Sequence, residues 1–108
     1  MMTGGGKIAF RMQIHPGQRA AYEARHDAIW PDLVAALHDA GISDYSIFLH
    51  EETLSLFAVM RRALDHRMDQ LPQREVMQLW WRHMADIMQT DATGAPVVEP
   101  LPLLFHLD

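Results

Sequence analysis

The chain has 108 residues, of which 49% are hydrophobic and 21% charged, a balance typical of a globular protein rather than a disordered chain. This length allows one hydrophobic core, so we predict a single domain over residues 1–108. The net charge of -5 and the nine scattered Lys and Arg provide no basic patch, which argues against a nucleic-acid partner.

No stretch of the sequence approaches the ~18 consecutive apolar residues of a membrane span. The first residues lack the charged and apolar regions of a signal peptide, so we expect a cytoplasmic protein without membrane contact. Cysteine is absent, which removes disulfides and sulfur ligands. The seven histidines are scattered, and no pair on a predicted helix has the spacing that holds a metal, so we predict no metal site.

The first predicted strand follows a glycine-rich segment, residues 1–6, which we interpret as a flexible lead-in. From Lys7 onward apolar side chains alternate with others, which predicts a half-buried strand. The apolar members are Ile8, Phe10, Met12 and Ile14. The segment His15-Pro16-Gly17 then ends the strand.

A helical period follows from Gln18 to about Ala40. Pro31 lacks an N–H and its ring crowds the preceding turn, so we predict a break just before it, with Pro31 starting the second segment. Gly41 is expected to cap the helix.

A second alternating run contains Tyr45, Ile47 and Leu49 on one face and Ser46, Phe48 and His50 on the other, which predicts strand two. After a short connection at residues 51–53, Leu54 to Met60 predicts strand three. The two strands pair most simply as an antiparallel hairpin.

The last third of the chain predicts two helices and one strand. A short polar helix is expected from Leu64 to Leu71, stopped by Pro72, and a longer helix from Gln73 to about Thr90. Residues 91–96 predict a loop, and residues 97–102 a loop or an edge because of their prolines. Leu103 to Leu107 predicts a short last strand.

This order of elements predicts an α+β fold of the ferredoxin-like βαββαβ type, in which helices pack on one face of a four-stranded antiparallel sheet. Apolar side chains occur on both sides of the strands, so the second sheet face also needs a cover, which either a second subunit or the chain's own terminal segment can provide; a second subunit is the default. We therefore expect a homodimer.

His26 is the first candidate site residue, because it occupies a position where the helical stripe would otherwise be apolar. It is either a core histidine bonded to a carbonyl or to Tyr22, or a general acid or base. Tyr22 lies one turn away on the same face, where it either packs or holds a ligand hydroxyl.

Tyr45 and the dipeptide Trp80-Trp81 are the other candidates. Adjacent helical positions diverge by about 100°, so at least one indole should reach a cleft or an interface. Indole faces pack against the C–H faces of a sugar ring, and a carbohydrate site is chemically coherent. The alternative is that both indoles belong to a wide buried face.

The acidic residues near these positions predict surface roles. Glu23, Asp27 and Asp32 diverge from the face that carries Tyr22 and His26, and we expect them to be solvated. Asp86 follows Arg82 and His83 by four and three residues, which predicts a local charge pair on the outer face of its own helix.

Five segments in this order resemble the L-rhamnose mutarotase family across almost the whole chain, from about Ile8 to Leu107. They are Phe10-Arg-Met12-Gln, Tyr22-x-x-x-His26, Ile29-Trp30-Pro31-x-Leu33, Asp44-Tyr45-Ser-Ile47-Phe-Leu49 and Trp80-Trp81-x-x-Met84-x-Asp86-Ile-Met88. The Gly-rich N-terminus and the loop from Thr90 to Pro96, which lacks the asparagines expected there, depart from the family pattern.

The resemblance implies a dimeric ferredoxin-like, α/β-barrel type fold and an enzyme that interconverts the α and β anomers of L-rhamnose without a cofactor. It implies that His26 is the catalytic acid. It also implies four substrate-binding residues, which are Tyr22, Tyr45, Trp80 and Trp81. The sequence does not identify the second proton-transfer group or the preferred pyranose.

Two other functions are compatible with the same order of elements. One is a non-catalytic dimeric domain that binds a small ligand or a partner protein, and the other is a monooxygenase of the same barrel type.

Overall fold

The computed structural model describes residues 6–108, in which strands and helices follow in the predicted order. The elements are β1 (Gly6–Gln13), α1 (Arg19–Asp27), α2 (Pro31–Asp39), β2 (Ile42–His50), β3 (Ser55–Arg62), a 3-10 helix (Met68–Gln73), α3 (Glu75–Met84) and β4 (Glu99–Leu101). The lead-in predicted for residues 1–6 lies outside the described residues except for Gly6, which already belongs to β1 and pairs with Arg62.

The four strands form one antiparallel sheet in the order β2-β3-β1-β4, which confirms the ferredoxin-like plan. One face of the sheet carries the core. Residues of β1 and β3 that pair directly share this face, as Phe10 does with Ala58 and Met12 with Leu56. Against them pack Leu33 of α2 and Met77 and other side chains of α3.

The predicted break before Pro31 is confirmed. The chain leaves the helix after Asp27, and Pro31 is the first residue of α2, where its missing N–H costs no hydrogen bond. Gly41 follows α2 with a φ of 87° and donates its N–H to the His38 carbonyl at 2.9 Å, as expected of a helix-ending glycine. The single helical run is therefore two helices, separated by residues 28–30.

Strand β2 contains a β-bulge that the sequence analysis did not predict. Ser43 pairs with Arg61 and Ser46 with Val59, so two residues, Asp44 and Tyr45, lie opposite one residue of β3. Side chains alternate between the two faces along a regular strand, and Ile42 and Ile47 are an odd number of positions apart. Without an extra residue they would therefore point to opposite sides of the sheet. The bulge lets both face the helices, and it places Asp44 at a φ of 48°.

The prediction of a helix from Leu64 to Leu71, stopped by Pro72, is wrong in extent. A 3-10 helix covers Met68–Gln73 and includes Pro72. Its turns are closed by the amides of Gln70 and Arg74, so the missing N–H of Pro72 breaks no bond.

The helix predicted from Gln73 to about Thr90 is shorter, because α3 ends at Met84. The following residues leave the helix and bond to the end of β1. His15 donates to the Ile87 carbonyl at 2.9 Å, and the Gln89 amide donates to the Gln13 carbonyl at 2.8 Å. Backbone partners on β1 therefore replace the last helical turns, while Ile87 remains buried.

The last strand was predicted at Leu103 to Leu107, which is wrong. β4 is Glu99–Leu101, within the segment predicted as a loop or an edge. It pairs with β1 at the sheet edge, where Pro100 is tolerated since one side of an edge strand needs no hydrogen bond. Leu104 is 91% exposed, so apolar composition alone did not make this tail a strand.

Candidate active site

A large open cavity of about 1020 Å³ lies between the core face of the sheet and the helices. All five candidate residues line it. They are Tyr22 and His26 from α1, Tyr45 from β2, and Trp80 and Trp81 from α3. Three separate elements therefore bring these side chains to one place.

His26 and Tyr22 are in contact, as their spacing on one helical face predicts. Their rings stack with centroids 4.4 Å apart and an angle of 28° between planes. The Nδ1 of His26 lies 3.0 Å from the carbonyl oxygen of Tyr22. A carbonyl only accepts, so Nδ1 carries the proton of the neutral ring and Nε2 is left with a free lone pair.

Burial lowers the pKa of His26, and this effect outweighs the hydrogen bond to the Tyr22 carbonyl and the nearby charge of Asp27, which both raise it. Since the shift starts from 6.5, the imidazole is neutral at neutral pH. In the free protein Nε2 is therefore a proton acceptor.

The two tyrosines are neutral donors at this cavity. Burial raises the pKa of Tyr22, and the phenol of Tyr45 raises it further. Tyr45 keeps 38% of its surface exposed, yet the surrounding protein desolvates its phenol enough to raise its pKa to about 12. Both hydroxyls are thus suited to hold ligand oxygen atoms by hydrogen bonds.

The two tryptophans have different surroundings. Trp80 is 6% exposed, and its ring meets the His26 ring edge-on at 5.4 Å and the Trp30 ring at 5.1 Å. Trp81 is half-buried and lines the cavity. The expectation that at least one indole reaches a cleft is confirmed, and Trp81 is the more accessible one.

Trp30 belongs to this aromatic group, although no site role was predicted for it from the sequence. It immediately precedes α2 and packs against both Trp80 and His83. Its position next to Pro31 was the available signal, because the break before the proline turns this indole towards α3. Trp30 does not line the cavity itself but packs against Trp80, which does.

The acidic residues were predicted partly correctly. Glu23, Asp27 and Asp32 are exposed as expected, although Glu23 and Asp27 border the cavity. Asp86 is a correction, because it bonds Arg25 of α1 at 2.7 Å rather than a neighbour in its own segment. α3 ends at Met84, so Asp86 is not held in the helical register that a local pair requires.

The loop from Thr90 to Pro96, which departs from the family pattern, borders the same cavity. Ala95 and Pro96 contribute to its lining. The Asp91 carboxylate accepts bonds from the amide and hydroxyl of Thr93, and Thr90 bridges to Pro96, so the loop has a defined shape. Within residues 6–108 there is no group of three or more acidic or histidine side chains that could hold a metal ion.

Comparison with known proteins agrees with this geometry. The family model described as L-rhamnose mutarotase matches residues 7–107. The chain belongs to the L-rhamnose mutarotase family. This membership favours the mutarotase interpretation over the two alternatives, a non-catalytic binding domain and a monooxygenase.

Relatives of known name cover nearly the full chain. An L-rhamnose mutarotase of Rhizobium meliloti (strain 1021) is 60% identical over 101 residues, which are 94% of this chain and 97% of the relative. An L-rhamnose mutarotase of Leptothrix cholodnii (strain ATCC 51168 / LMG 8142 / SP-6) is 60% identical over 102 residues, which are 94% of this chain and 96% of the relative.

Solved structures give the same result for the fold. The crystal structure of an L-rhamnose mutarotase from Formosa agariphila is 42% identical, has a TM-score of 0.88, and the match covers 94% of this chain and 98% of that one. A Pseudomonas aeruginosa protein at 15% identity and a TM-score of 0.59 shares the fold alone, over 97% and 99% of the two chains.

Proposed function

We propose that this chain is an L-rhamnose mutarotase, which interconverts the α and β anomers of L-rhamnose by opening and closing the sugar ring. The observation that carries the proposal is the cavity itself. It combines a desolvated histidine with a free Nε2, two phenols and an accessible indole. Family membership indicates L-rhamnose as the substrate, and the side chains of the cavity can carry out the proton transfers.

The reaction needs one proton removed from the anomeric hydroxyl and one delivered to the ring oxygen. In the proposed opening step, neutral Nε2 of His26 takes the anomeric proton while the bond between C1 and the ring oxygen breaks, and the ring oxygen takes a proton from a neutral donor in the cavity, a tyrosine phenol or a water molecule. Rotation about the bond between C1 and C2 then presents the other carbonyl face. Closure reverses both transfers, and His26 now gives its proton to the carbonyl oxygen as an acid.

This assignment modifies the role that the resemblance implied. His26 enters the reaction as a base, because its lowered pKa makes the neutral ring the resting form, and it is the acid of the closing step. Tyr22 and Tyr45 are proposed to hold sugar hydroxyls. Trp81 offers its face to the apolar side of the ring, while Trp80 packs against His26.

The test is anomer exchange measured by magnetisation-transfer NMR with purified protein and L-rhamnose. His26→Asn should slow exchange by about a hundredfold or more, since a positioned proton-transfer group contributes ~10²–10⁴-fold. Leu79→Asn, an exposed position on α3 outside the cavity lining, is the matched control and should keep the wild-type rate. Near wild-type exchange in a folded His26→Asn protein would contradict the proposal.

We also propose a homodimer in which a second copy covers the open face of the sheet. Direct pairing places Ala9 with Val59 and Phe57 with Phe48 on this face, away from the helices. Phe48 is 62% exposed, so part of this face, beside the charged Arg11 and Arg61, is apolar and open to solvent in a single chain.

Among residues 6–108, no helix is both long and apolar enough to cross a membrane, and the cytoplasmic location stays a prediction of the sequence.

A further inference from the structure

The contact between Arg25 and Asp86 joins the helix of the proposed catalytic residue to the end of α3. Arg25 Nη1 lies 2.7 Å from Asp86 Oδ1, and Nη2 lies 3.2 Å from Oδ2. Nη1 also donates to the carbonyl oxygen of His83, in the last turn of α3, at 2.6 Å. A bidentate contact of this kind fixes the relative orientation of the two side chains as well as their distance, because the guanidinium and the carboxylate are both planar.

Helix α1 depends on such contacts because none of its residues is buried. Its apolar side chains are small or aromatic, and Tyr22 and Ala21 are only partly covered. At its start, Arg19 forms an ion pair with Glu51 in the turn between β2 and β3. At its end, Arg25 bonds to the end of α3, so this polar contact acts together with the partial packing of Tyr22 and Ala21 to position the helix.

Arg25 immediately precedes His26, and the His26 ring touches Trp80 of α3. The contact of Arg25 with Asp86 and the ring contact therefore lie side by side between the same two helices. A shift of α1 along α3 would move His26 relative to the cavity. Displacements of about 1 Å at a reacting group cost as much as 10²-fold in rate.

We propose that Arg25 and Asp86 are a positioning pair that sets the location of His26 Nε2 against Trp80 and the bound sugar. Neither residue lines the cavity, so both act through His26. The inference rests on the proposed mutarotase function for its kinetic part, but the placement of His26 is also measurable without any sugar.

The test compares Asp86→Asn, Asp86→Glu and Arg25→Lys with the wild-type protein. In Asp86→Asn and Arg25→Lys, kcat for anomer exchange should fall ~10–100-fold, while KM changes by less than about threefold, since the sugar contacts remain. Asp86→Glu keeps the charge and should retain more activity than Asp86→Asn. Because Asp86 is exposed, its variants keep the test valid if Arg25→Lys folds poorly.

The second measurement is an NMR titration of the His26 ring in the same variants without sugar. Loosening α1 should let water reach the ring, so its pKa should rise towards the ordinary value. The matched control is Arg67→Ala. Arg67 donates to the Asp39 carbonyl at the end of α2 at 2.7 Å, as Arg25 does to the His83 carbonyl, and it lies outside the cavity lining.

Arg67→Ala should lower stability and leave kcat and the His26 titration unchanged. If the Asp86 and Arg25 variants behave like Arg67→Ala, the pair is merely structural and the inference is wrong. If the wild-type protein shows no exchange of L-rhamnose anomers, the proposed function fails, while an unchanged His26 titration in the variants would separately overturn the positioning role.

Discussion

At the scale of single residues, His26 combines two features that set its chemistry. Its Nδ1 is occupied by the carbonyl of Tyr22 one turn earlier, and burial lowers its pKa. The first feature selects the tautomer and the second selects the charge. An exposed histidine on the same helix could make the first bond but would not be desolvated, so the partly buried position against Trp80 is what lowers the pKa of this imidazole.

The lowered pKa predicts the direction of the pH dependence. A base must be unprotonated, so kcat/KM for anomer exchange should be constant at neutral pH and fall as the pH drops through the pKa of His26, with a midpoint below 6.5. The measurement is the exchange rate at low sugar concentration between about pH 4 and 8. His15→Gln, which changes a histidine outside the cavity lining, should keep the same profile.

An activity that instead falls as the pH rises through this pKa would show that protonated His26 starts the reaction. That result would restore the role of acid that the sequence resemblance implied.

At the scale of elements, the bulge in β2 controls where Tyr45 lies. Asp44 occupies the left-handed region at a φ of 48°, which Asn and Asp tolerate and β-branched residues do not. Its ion pair with Arg61, at 3.4 Å, is exposed and contributes little to stability. The backbone conformation is therefore the main contribution of this residue.

Substitutions at Asp44 test that conclusion. Asp44→Asn should keep KM for the sugar within about twofold, whereas Asp44→Val should raise KM about tenfold and destabilise the fold by ~1–3 kcal/mol, because the bulge becomes strained and Tyr45 loses its place. Anomer-exchange kinetics and urea unfolding measure the two effects. Asp44→Gly distinguishes the backbone effect from any role of the carboxylate, since glycine adopts this conformation freely but has no side chain. A large rise of KM in Asp44→Gly would mean that the carboxylate itself binds the sugar.

At the scale of the whole molecule, the sheet is asymmetric. One face is covered by helices, and the other carries apolar side chains of β1, β2 and β3 beside the charged Arg11 and Arg61. In a single chain, Phe48 on this second face is 62% exposed. A second copy would cover it most economically, since the same face of each copy can meet its twin around a twofold axis.

The oligomeric state tests this arrangement directly. Wild-type protein should sediment with the mass of two chains, and Phe57→Lys should shift it to the mass of one, because a charge would be placed at the centre of the proposed contact. Leu79→Lys introduces the same charge on exposed α3 and should stay dimeric. A wild-type protein with the mass of one chain, or equal behaviour of the two variants, would argue against the dimer.

Local rules predicted much of the fold from the sequence. Pro31 broke the helix because it has no N–H, and Gly41 ended it because only glycine adopts its conformation readily. The candidate residues also converge, since the spacing of Tyr22 and His26 is a helical property. What failed depended on distant partners. Leu103 to Leu107 had apolar composition but no pairing with β1, which Glu99–Leu101 already occupies.

The same limit explains the site residues that were missed. The bond between Arg25 and Asp86 joins positions 61 residues apart, and no local spacing rule indicates it. The difference between Trp80 and Trp81 follows from tertiary contacts, because Trp80 packs against His26 of α1 and against Trp30. Parity did carry a signal for the bulge, because Ile42 and Ile47 cannot both face the core in a regular strand.

The lack of buried residues in α1 has a consequence for how this protein tolerates change. Tyr22 and His26 lie on an element that contributes little to the core, whereas Leu33, Met60 and Met84, which hold the fold, lie on others. The core on the other elements is therefore the main source of stability, although Trp80 and Met84 of α3 contribute to both the core and the cavity. Substitutions at exposed α1 positions that border the cavity, such as Glu23, should carry a small folding penalty, so sugar preference can be varied there without first adding compensating mutations.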